Sequence, residues 1–265
     1  MPTKKALLIG INYRGTSSAL NGCINDVLSM QAYLLKNGYS VADLTVMTDL
    51  TAVKPSRRNI IDAILDLVIS GADRLFFHYS GHGSWERDTN NDERDRRDES
   101  IVPLDYHQTG MITDDQLRGL LAFLKPNSRM SVVLDCCHSG TGMDLTYNFK
   151  NTTRIVRVRR GRRIVRVRKK VTIMKRDPRY HNTPAPVVML SGCLDKQYSA
   201  DAYEEGKYQG AMTFCLLKVL EANPNCNWVQ LVAKLRYLLK INGYKQIPNL
   251  TSGQPLSLKA LIDFS

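Results

Sequence analysis

Two apolar runs in this chain stop in the same manner. Leu75-Phe76-Phe77-His78-Tyr79 gives way to Ser80-Gly81-His82-Gly83, and Val132-Val133-Leu134 gives way to Asp135-Cys136-Cys137-His138-Ser139-Gly140. Neither run alternates apolar with polar residues, so neither suits a strand with one face in water. Each reads as a strand buried on both faces, as in a parallel sheet. In open α/β sheets the carboxyl edge of such strands is where ligands bind and chemistry happens. Two neighbouring strands of this design would bring a His and a Cys together across that edge.

The rest of the chain repeats the same grammar. Lys5 to Ile11 reads as a first central strand, and Asn12 to Gly22 as a polar loop. Ile24 to Asn37 carries Ile24, Val27, Leu28, Leu34 and Leu35 at helical spacing, with Gly38 as its stop. Val41 to Met47 is a second strand. Pro55-Ser56 opens a helix through Ile60, Ile61, Ile64, Leu65 and Val68, which ends at Gly71. Strand, helix, strand, helix, strand implies a mostly parallel sheet with helices on both faces. Ser84 to Glu99 reads as a long charged loop beside the candidate site. Thr113-Asp114-Asp115-Gln116 is a capping box that starts a helix through Leu117, Leu120, Leu121 and Leu124. Later come a strand at Val187 to Ser191, helices at Gly210 to Ala222 and Trp228 to Ile241, and a short strand near Asn249-Leu250.

Charge is concentrated rather than spread. The chain has 265 residues and a net charge of +12, yet residues 154–179 hold 13 Lys/Arg against the single acid Asp177. The remaining 24 Lys/Arg are matched by 24 Asp/Glu, so any affinity for an acidic partner belongs to one segment. That segment, Arg154 to Met174, alternates apolar and basic residues about Arg160-Gly161-Arg162, the pattern of a β-hairpin. Arg176 to Pro186 reads as a connector. No apolar stretch approaches the roughly 20 residues of a membrane helix, so no membrane span is expected. Met1 to Lys5 leads straight into a strand, so no signal peptide is expected. The six cysteines, Cys193 and Cys215 among them in apolar patterns, fit reduced thiols in a cytoplasmic protein best, with nuclear residence as the secondary alternative.

A thiol peptidase needs a thiolate, a base to form it, and oxyanion donors. His82 between two glycines can present its imidazole freely, and Cys137 falls where a strand gives way to a tight turn with free N–H groups. The alternative is that Cys136 and Cys137 are small core hydrophobes and His82 is a loop histidine.

The two blocks HYSGHG at 78–83 and DCCHSG at 135–140 resemble the catalytic His and Cys blocks of the metacaspases, in the caspase-like clan of cysteine peptidases. The resemblance extends in order along the chain: Leu20 to Asp26 (LNGCIND), Pro103-Leu104-Asp105-Tyr106 with Ile112 to Asp115, Ser191 to Ala202, and Gly210 to Thr213. It implies one caspase-like domain, a three-layer α/β sandwich. Residues 1–150 form a large-subunit-like region, 151–185 the basic hairpin and connector, and 186–265 a small-subunit-like region. It implies His82 as general base and Cys137 as nucleophile, with the N–H groups of Gly83 and Cys137 as oxyanion donors. The family's acidic S1 pocket maps onto Asp26 and Asp135, which suits protein or peptide substrates with Arg or Lys at P1, since paired carboxylates bind such cations through charge-assisted hydrogen bonds. Caspases prefer Asp there, so these acids discriminate. Asp26 also reads as a first-turn carboxylate favourable to a helix dipole. Metacaspases of this kind are typically calcium-activated, and the ligands would be Asp98, Asp114, Asp115 and Asp144. Ca²⁺ takes several hard oxygen ligands. Asp114 and Asp115 also read as helix-start residues. The family resemblance favours a monomer.

Against the family's usual layout, the sequence starts without a Pro/Gln-rich or zinc-finger N-terminal segment, as expected of either a short form or a trimmed one, and it carries the basic hairpin. The hairpin reads as a solvated ribbon, as a self-processing region with Arg176 and Arg179 as the accessible cleavage points, or as a dock for nucleic acid or acidic membrane over 154–174. It lacks the interleaved aromatics of base-stacking surfaces. Two further readings stand beside the peptidase: a catalytically inactive relative acting as a scaffold, and a nucleic-acid binder.

Overall fold

Continuous apolar segments form the centre of one sheet. The structure is a computed structural model and describes residues 2–87, 97–136, 142–161, 163–192, 201–204, 207–262 and 264. The chain begins with β1 (Lys4–Gly10), α1 (Cys23–Lys36), a 3₁₀ turn (Val41–Asp43), β2 (Leu44–Thr48), α2 (Arg57–Ile69) and β3 (Arg74–Ser80). It continues through β4 (Gly83–Arg87), β5 (Arg97–Ile101), a short α3 (Tyr106–Thr109), β6 (Ile112–Thr113), α4 (Asp114–Leu121) and β7 (Arg129–Asp135). Then follow β8 (Tyr147–Arg160), β9 (Arg163–Arg176), β10 (Val187–Ser191), β11 (Asp201–Glu204), β12 (Lys207–Gly210), α5 (Ala211–Ala222), α6 (Trp228–Ile241) and β13 (Asn249–Ser252).

Eight of these strands make the central sheet in the order β2-β1-β3-β7-β10-β13-β8-β9. The first five run parallel, and β13, β8 and β9 close one side antiparallel. Successive residues of each central strand point to opposite faces. Leu7, Ile9, Phe77, Val132, Leu134 and Met189 meet Ile60 and Ile64 of α2 and Leu117 and Leu121 of α4 on one face. Leu8, Phe76, Val133 and Leu190 meet α1, α5 and α6 through Val27, Leu34, Leu216, Leu231 and Leu235 on the other. Both faces are covered, which is why the strands read as unbroken apolar runs, and the expected three-layer α/β sandwich is the fold observed. Gly10 lets α1 start directly against the end of β1: a Cβ there would lie 2.5 Å from the Cys23 carbonyl oxygen. That close approach carries the first turn of α1, with Asp26, to the sheet edge.

Two expectations change. The second strand begins at Leu44, not Val41, because the Asp43 carboxylate accepts hydrogen bonds from the Ser40 N–H (2.9 Å) and hydroxyl (2.7 Å), which folds 41–43 into a 3₁₀ turn. The ends of the charged 84–99 segment are strands rather than loop. β4 and β5 pair antiparallel, with β6 added to β5, and Arg97 lies 3.9 Å over the Trp85 ring. Residues 88–96 lie outside the described residues. The hairpin forms as the alternation predicts but is longer, because Tyr147 and Asn148 at its base also pair with β13. Cys23, Cys136, Cys215 and Cys226 are buried; Cys137 and Cys193 are not among the described residues. Among the described residues no helix is long and apolar enough to cross a membrane.

Candidate active site

The two strands with matching ends are neighbours. β3 and β7 pair in parallel from Arg74 opposite Arg129 to Ser80 opposite Asp135, and the Gly81 N–H reaches the Asp135 carbonyl at 3.4 Å. His82 lies two residues beyond the last pair on one strand, and Cys137 two residues beyond it in sequence on the other. Cys137 lies outside the described residues. Its neighbour Cys136 is buried in the apolar core, the role of a small hydrophobe.

His82 is half-buried and fixed from three sides. Its Nε2 is 2.7 Å from the carbonyl oxygen of Ser18. A carbonyl only accepts, so Nε2 carries the proton and the neutral ring keeps Nδ1 as its basic nitrogen. The ring packs against Tyr13 with centroids 4.7 Å apart, and the His82 N–H donates to the Tyr13 hydroxyl at 3.0 Å. The Tyr79 hydroxyl donates to the His82 carbonyl at 2.7 Å, and the Tyr13 hydroxyl donates to the Val102 carbonyl at 2.6 Å. Burial raises both phenol pKa values well above the ordinary one, so both hydroxyls stay protonated. Tyr13 adopts φ +49°, a left-handed backbone that its buried contacts hold in place. Gly83 opens β4 opposite Ile101. Because the Val102 N–H bonds the His82 carbonyl, the next pair along is a non-hydrogen-bonded one, and the Gly83 N–H is not used in the β4–β5 ladder.

The two pocket acids converge on one point. Asp26 and Asp135 are both buried. Asp26 Oδ2 accepts from the Ser80 hydroxyl at 2.6 Å and Oδ1 from the Gly210 N–H at 2.8 Å. Asp135 Oδ2 accepts from the Thr213 N–H at 2.8 Å. A Cβ on Gly210 would lie 2.4 Å from Asp135 Oδ2 and 2.5 Å from Asp26 Oδ2. Gly210 is the N-cap of α5 and supplies no capping side chain. Asp135 does so from another strand, satisfying a first-turn N–H, and the positive end of the helix faces both carboxylates. Beneath them, His78 Nε2 is 3.2 Å from the Thr213 hydroxyl, and burial lowers the His78 pKa to about 3, so it is a neutral spacer.

The acids assigned to calcium stand on adjoining elements. Asp98 on β5, Asp114 at the start of α4, and Asp144 are buried, and Asp115 is partly so. Asp114 Oδ2 accepts from the Glu99 N–H at 3.0 Å, and Asp144 lies in the field of Arg118, one turn along α4. Thr113 and Gln116 form the expected capping box, so Asp114 and Asp115 are helix-start residues as well. Among the described residues, no three His, Cys, Asp or Glu side chains gather closely enough to hold a metal ion. Arg176 ends β9 opposite Tyr147, and Arg179 is clamped on Asp177 by Nε at 3.0 Å and a terminal nitrogen at 2.9 Å.

A family profile described as "Metacaspase, peptidase C14 domain" matches residues 4–146, more than half of the chain. The chain belongs to the metacaspase family. It is 37% identical to Metacaspase-1 of Mycosarcoma maydis over 97% of this chain and 72% of that protein. It is 34% identical to Metacaspase-1 of Schizosaccharomyces pombe over 96% of this chain and 68% of that one. Among solved structures, it superposes on Caspase-1 from Spodoptera frugiperda with a TM-score of 0.59 at 13% identity, covering 99% of this chain and 90% of that one. It superposes on protein GSU0716 from Geobacter sulfurreducens with a TM-score of 0.65 at 24% identity, covering 99% of this chain and all of that one. Those structural likenesses bear on the fold, which is caspase-like. A member of this cysteine peptidase family acts on proteins or peptides.

Around the metacaspase site, residue reading missed Tyr13, Ser18, Tyr79, Ser80, Gly210 and Thr213 as its supports. Ser18 contributes only a backbone oxygen, which no side-chain pattern announces. Tyr13 and Tyr79 look like ordinary core aromatics. Gly210 and Thr213 lay inside a quoted motif, and the signal was available there as a helix start without its own cap.

Proposed function

We propose that this metacaspase is an endopeptidase that cleaves after Arg or Lys, with Cys137 as nucleophile and His82 as base. The observation that carries the reading is the meeting of the Asp26 and Asp135 carboxylates at Gly210, at the carboxyl edge of the strands that lead to His82 and Cys137. A guanidinium or ammonium at P1 fits two carboxylates backed by a helix N-terminus; a P1 carboxylate does not. His82 Nδ1 takes the Cys137 thiol proton, and the thiolate sulfur attacks the scissile carbonyl carbon. The N–H groups of Gly83 and Cys137 hold the oxyanion. Collapse passes the proton from His82 to the leaving amine and leaves an acyl-enzyme. Water, deprotonated by His82, then releases the carboxylic acid and restores the thiol.

Calcium is part of the proposal. Carboxylates are hard-oxygen donors suited to Ca²⁺, and Asp98, Asp114, Asp115 and Asp144 would hold it, which requires them to draw closer together than they stand here. The ion would supply positive charge to these carboxylates. Self-processing at Arg176 or Arg179 belongs to the same reading, with local opening of the β9 end and of the Arg179–Asp177 pair as its requirement. A monomer is supported by the sheet itself, since β8 and β9 cover the edge of β13 and two copies of β9 would bring Lys and Arg together.

The test is hydrolysis of fluorogenic peptides with Arg or Asp at P1, in millimolar Ca²⁺ and in chelator, beside Cys137→Ala. Calcium-dependent release from the Arg peptide alone, lost in Cys137→Ala, is expected. No release from either peptide by folded protein would leave the inactive-scaffold reading.

A further inference from the structure

Apart from Arg176 at its base, the basic hairpin plays no part in the peptidase chemistry proposed above. β8 and β9 are each 14 residues, about 45 Å at 3.3 Å per residue, and pair without a bulge from Tyr147 opposite Arg176 to Arg160 opposite Arg163. Only Tyr147 and Asn148 also pair with β13, so beyond its base the ribbon is two strands wide. Residues directly opposite share a face, and faces alternate along each strand. Arg157, Arg159, Arg166 and Arg168 therefore lie on one face, with Arg157 directly across from Arg166. Arg154, Arg163 and Lys169 lie on the other, framing Val156, Val158, Val165 and Val167, with Arg154 across from Lys169. All seven of these basic residues are exposed, as are Ile155 and Ile164. Like charges directly opposite in a ladder are destabilising. Residues 154–176 hold 12 Lys/Arg and no acid, so the ribbon has no internal countercharge.

Three features select the partner. The cations occupy both faces, whereas a bilayer surface meets only one. No Trp, Tyr or Phe occurs from 154 to 176, so the ribbon has neither the aromatic anchors of a membrane interface nor the stacking platforms that single strands use. Nine of the 12 cations are Arg, whose planar fork matches phosphate oxygens in pairs. We propose that the hairpin is a docking arm for duplex DNA, bound through phosphates on both walls of a groove and without sequence preference. A two-stranded ribbon fits the major groove, which is about 12 Å wide. This inference is independent of the peptidase chemistry. Its consequence is that the enzyme would be held on chromatin or free DNA while its active site stays open to protein.

The test is fluorescence anisotropy of a labelled random-sequence 20-base-pair duplex with the full chain, across about 50–200 mM salt. Binding should weaken linearly in log–log form. Arg157→Gln/Arg159→Gln/Arg166→Gln/Arg168→Gln should make the slope shallower by about 3–4, and Arg154→Gln/Arg163→Gln/Lys169→Gln by about 2–3. The first set changed to Lys instead should keep the slope, and all three proteins should melt no lower than the parent and keep its peptide hydrolysis. Absent duplex binding, a slope unchanged in the Gln variants, a slope sensitive to one face only, or tighter hairpin-dependent binding to phosphatidylserine vesicles than to the duplex would each overturn the proposal.

Discussion

Gly210→Ala tests the convergence of the two acids. The backbone at Gly210 is extended, with φ −67° and ψ 129°, so alanine is conformationally acceptable and any effect comes from the added methyl. That methyl would sit 2.4 Å from Asp135 Oδ2 and 2.5 Å from Asp26 Oδ2. Ordinary C···O contacts begin near 3.3 Å, so each oxygen has to retreat by roughly 0.8 Å. Neither can do so freely: Asp26 is tied to Ser80 at 2.6 Å and Asp135 to the Thr213 N–H at 2.8 Å. Overpacking of this kind costs about 1–3 kcal/mol, and stretching one charge-assisted hydrogen bond adds about 1–2. A loss of about 2–5 kcal/mol in urea unfolding is expected. The same methyl occupies the space between the carboxylates where a P1 cation would bind, so kcat/KM for an Arg peptide should fall about 100-fold, equivalent to about 2.7 kcal/mol. Gly119→Ala is the matched control: its Cβ would meet nothing within 4 Å in α4, and the helix should gain up to about 1 kcal/mol. If Gly210→Ala unfolds within 0.5 kcal/mol of the parent and cleaves within about threefold of it, the convergence of Asp26 and Asp135 is refuted.

Three other outcomes follow from the same geometry. Burial holds His78 neutral down to about 3, so below the ordinary value of 6.5 the unfolded chain binds one proton more than the folded one. Stability should therefore fall as pH falls, by about 2 kcal/mol between pH 8 and pH 5, and an unchanged pH slope in His78→Gln by urea unfolding would exclude His78 as the source. Tyr13→Phe removes the hydroxyl that joins His82, Tyr79 and Val102, and should cost about 1–3 kcal/mol and lower kcat more than it raises KM; a pure KM effect would contradict a positioning role. Asp114→Asn removes a calcium-side charge, and should shift the Ca²⁺ midpoint of peptide hydrolysis at least tenfold upward while the chelator-treated protein melts within about 1 kcal/mol of the parent. An unchanged midpoint would remove Asp114 from the set.

Much of the molecule is determined locally, and that part was legible in the sequence. The helix at Trp228–Ile241, the capping box at Thr113, the strand at Val187–Ser191 and the hairpin turning at Arg160–Arg163 all depend on residues within a few positions of one another. Caps, turns and periodicity act over that range. The collinear motif blocks were equally readable and carried the family. The 3₁₀ turn at Val41–Asp43 escaped because its own side chains outcompeted an apolar pattern, and β4 and β5 escaped because charged residues conceal a ladder that depends on pairing. What only tertiary structure decided is how the site is held. The Ser18 carbonyl fixes the tautomer of a histidine 64 residues away, Tyr13 meets Tyr79 across 66, and Asp26 bonds the Gly210 N–H across 184. These contacts join groups with no local preference for one another. They exist because eight strands and their covering helices bring distant chain ends to one sheet edge, where backbone carbonyls and helix termini act as functional groups that the residue letters do not display.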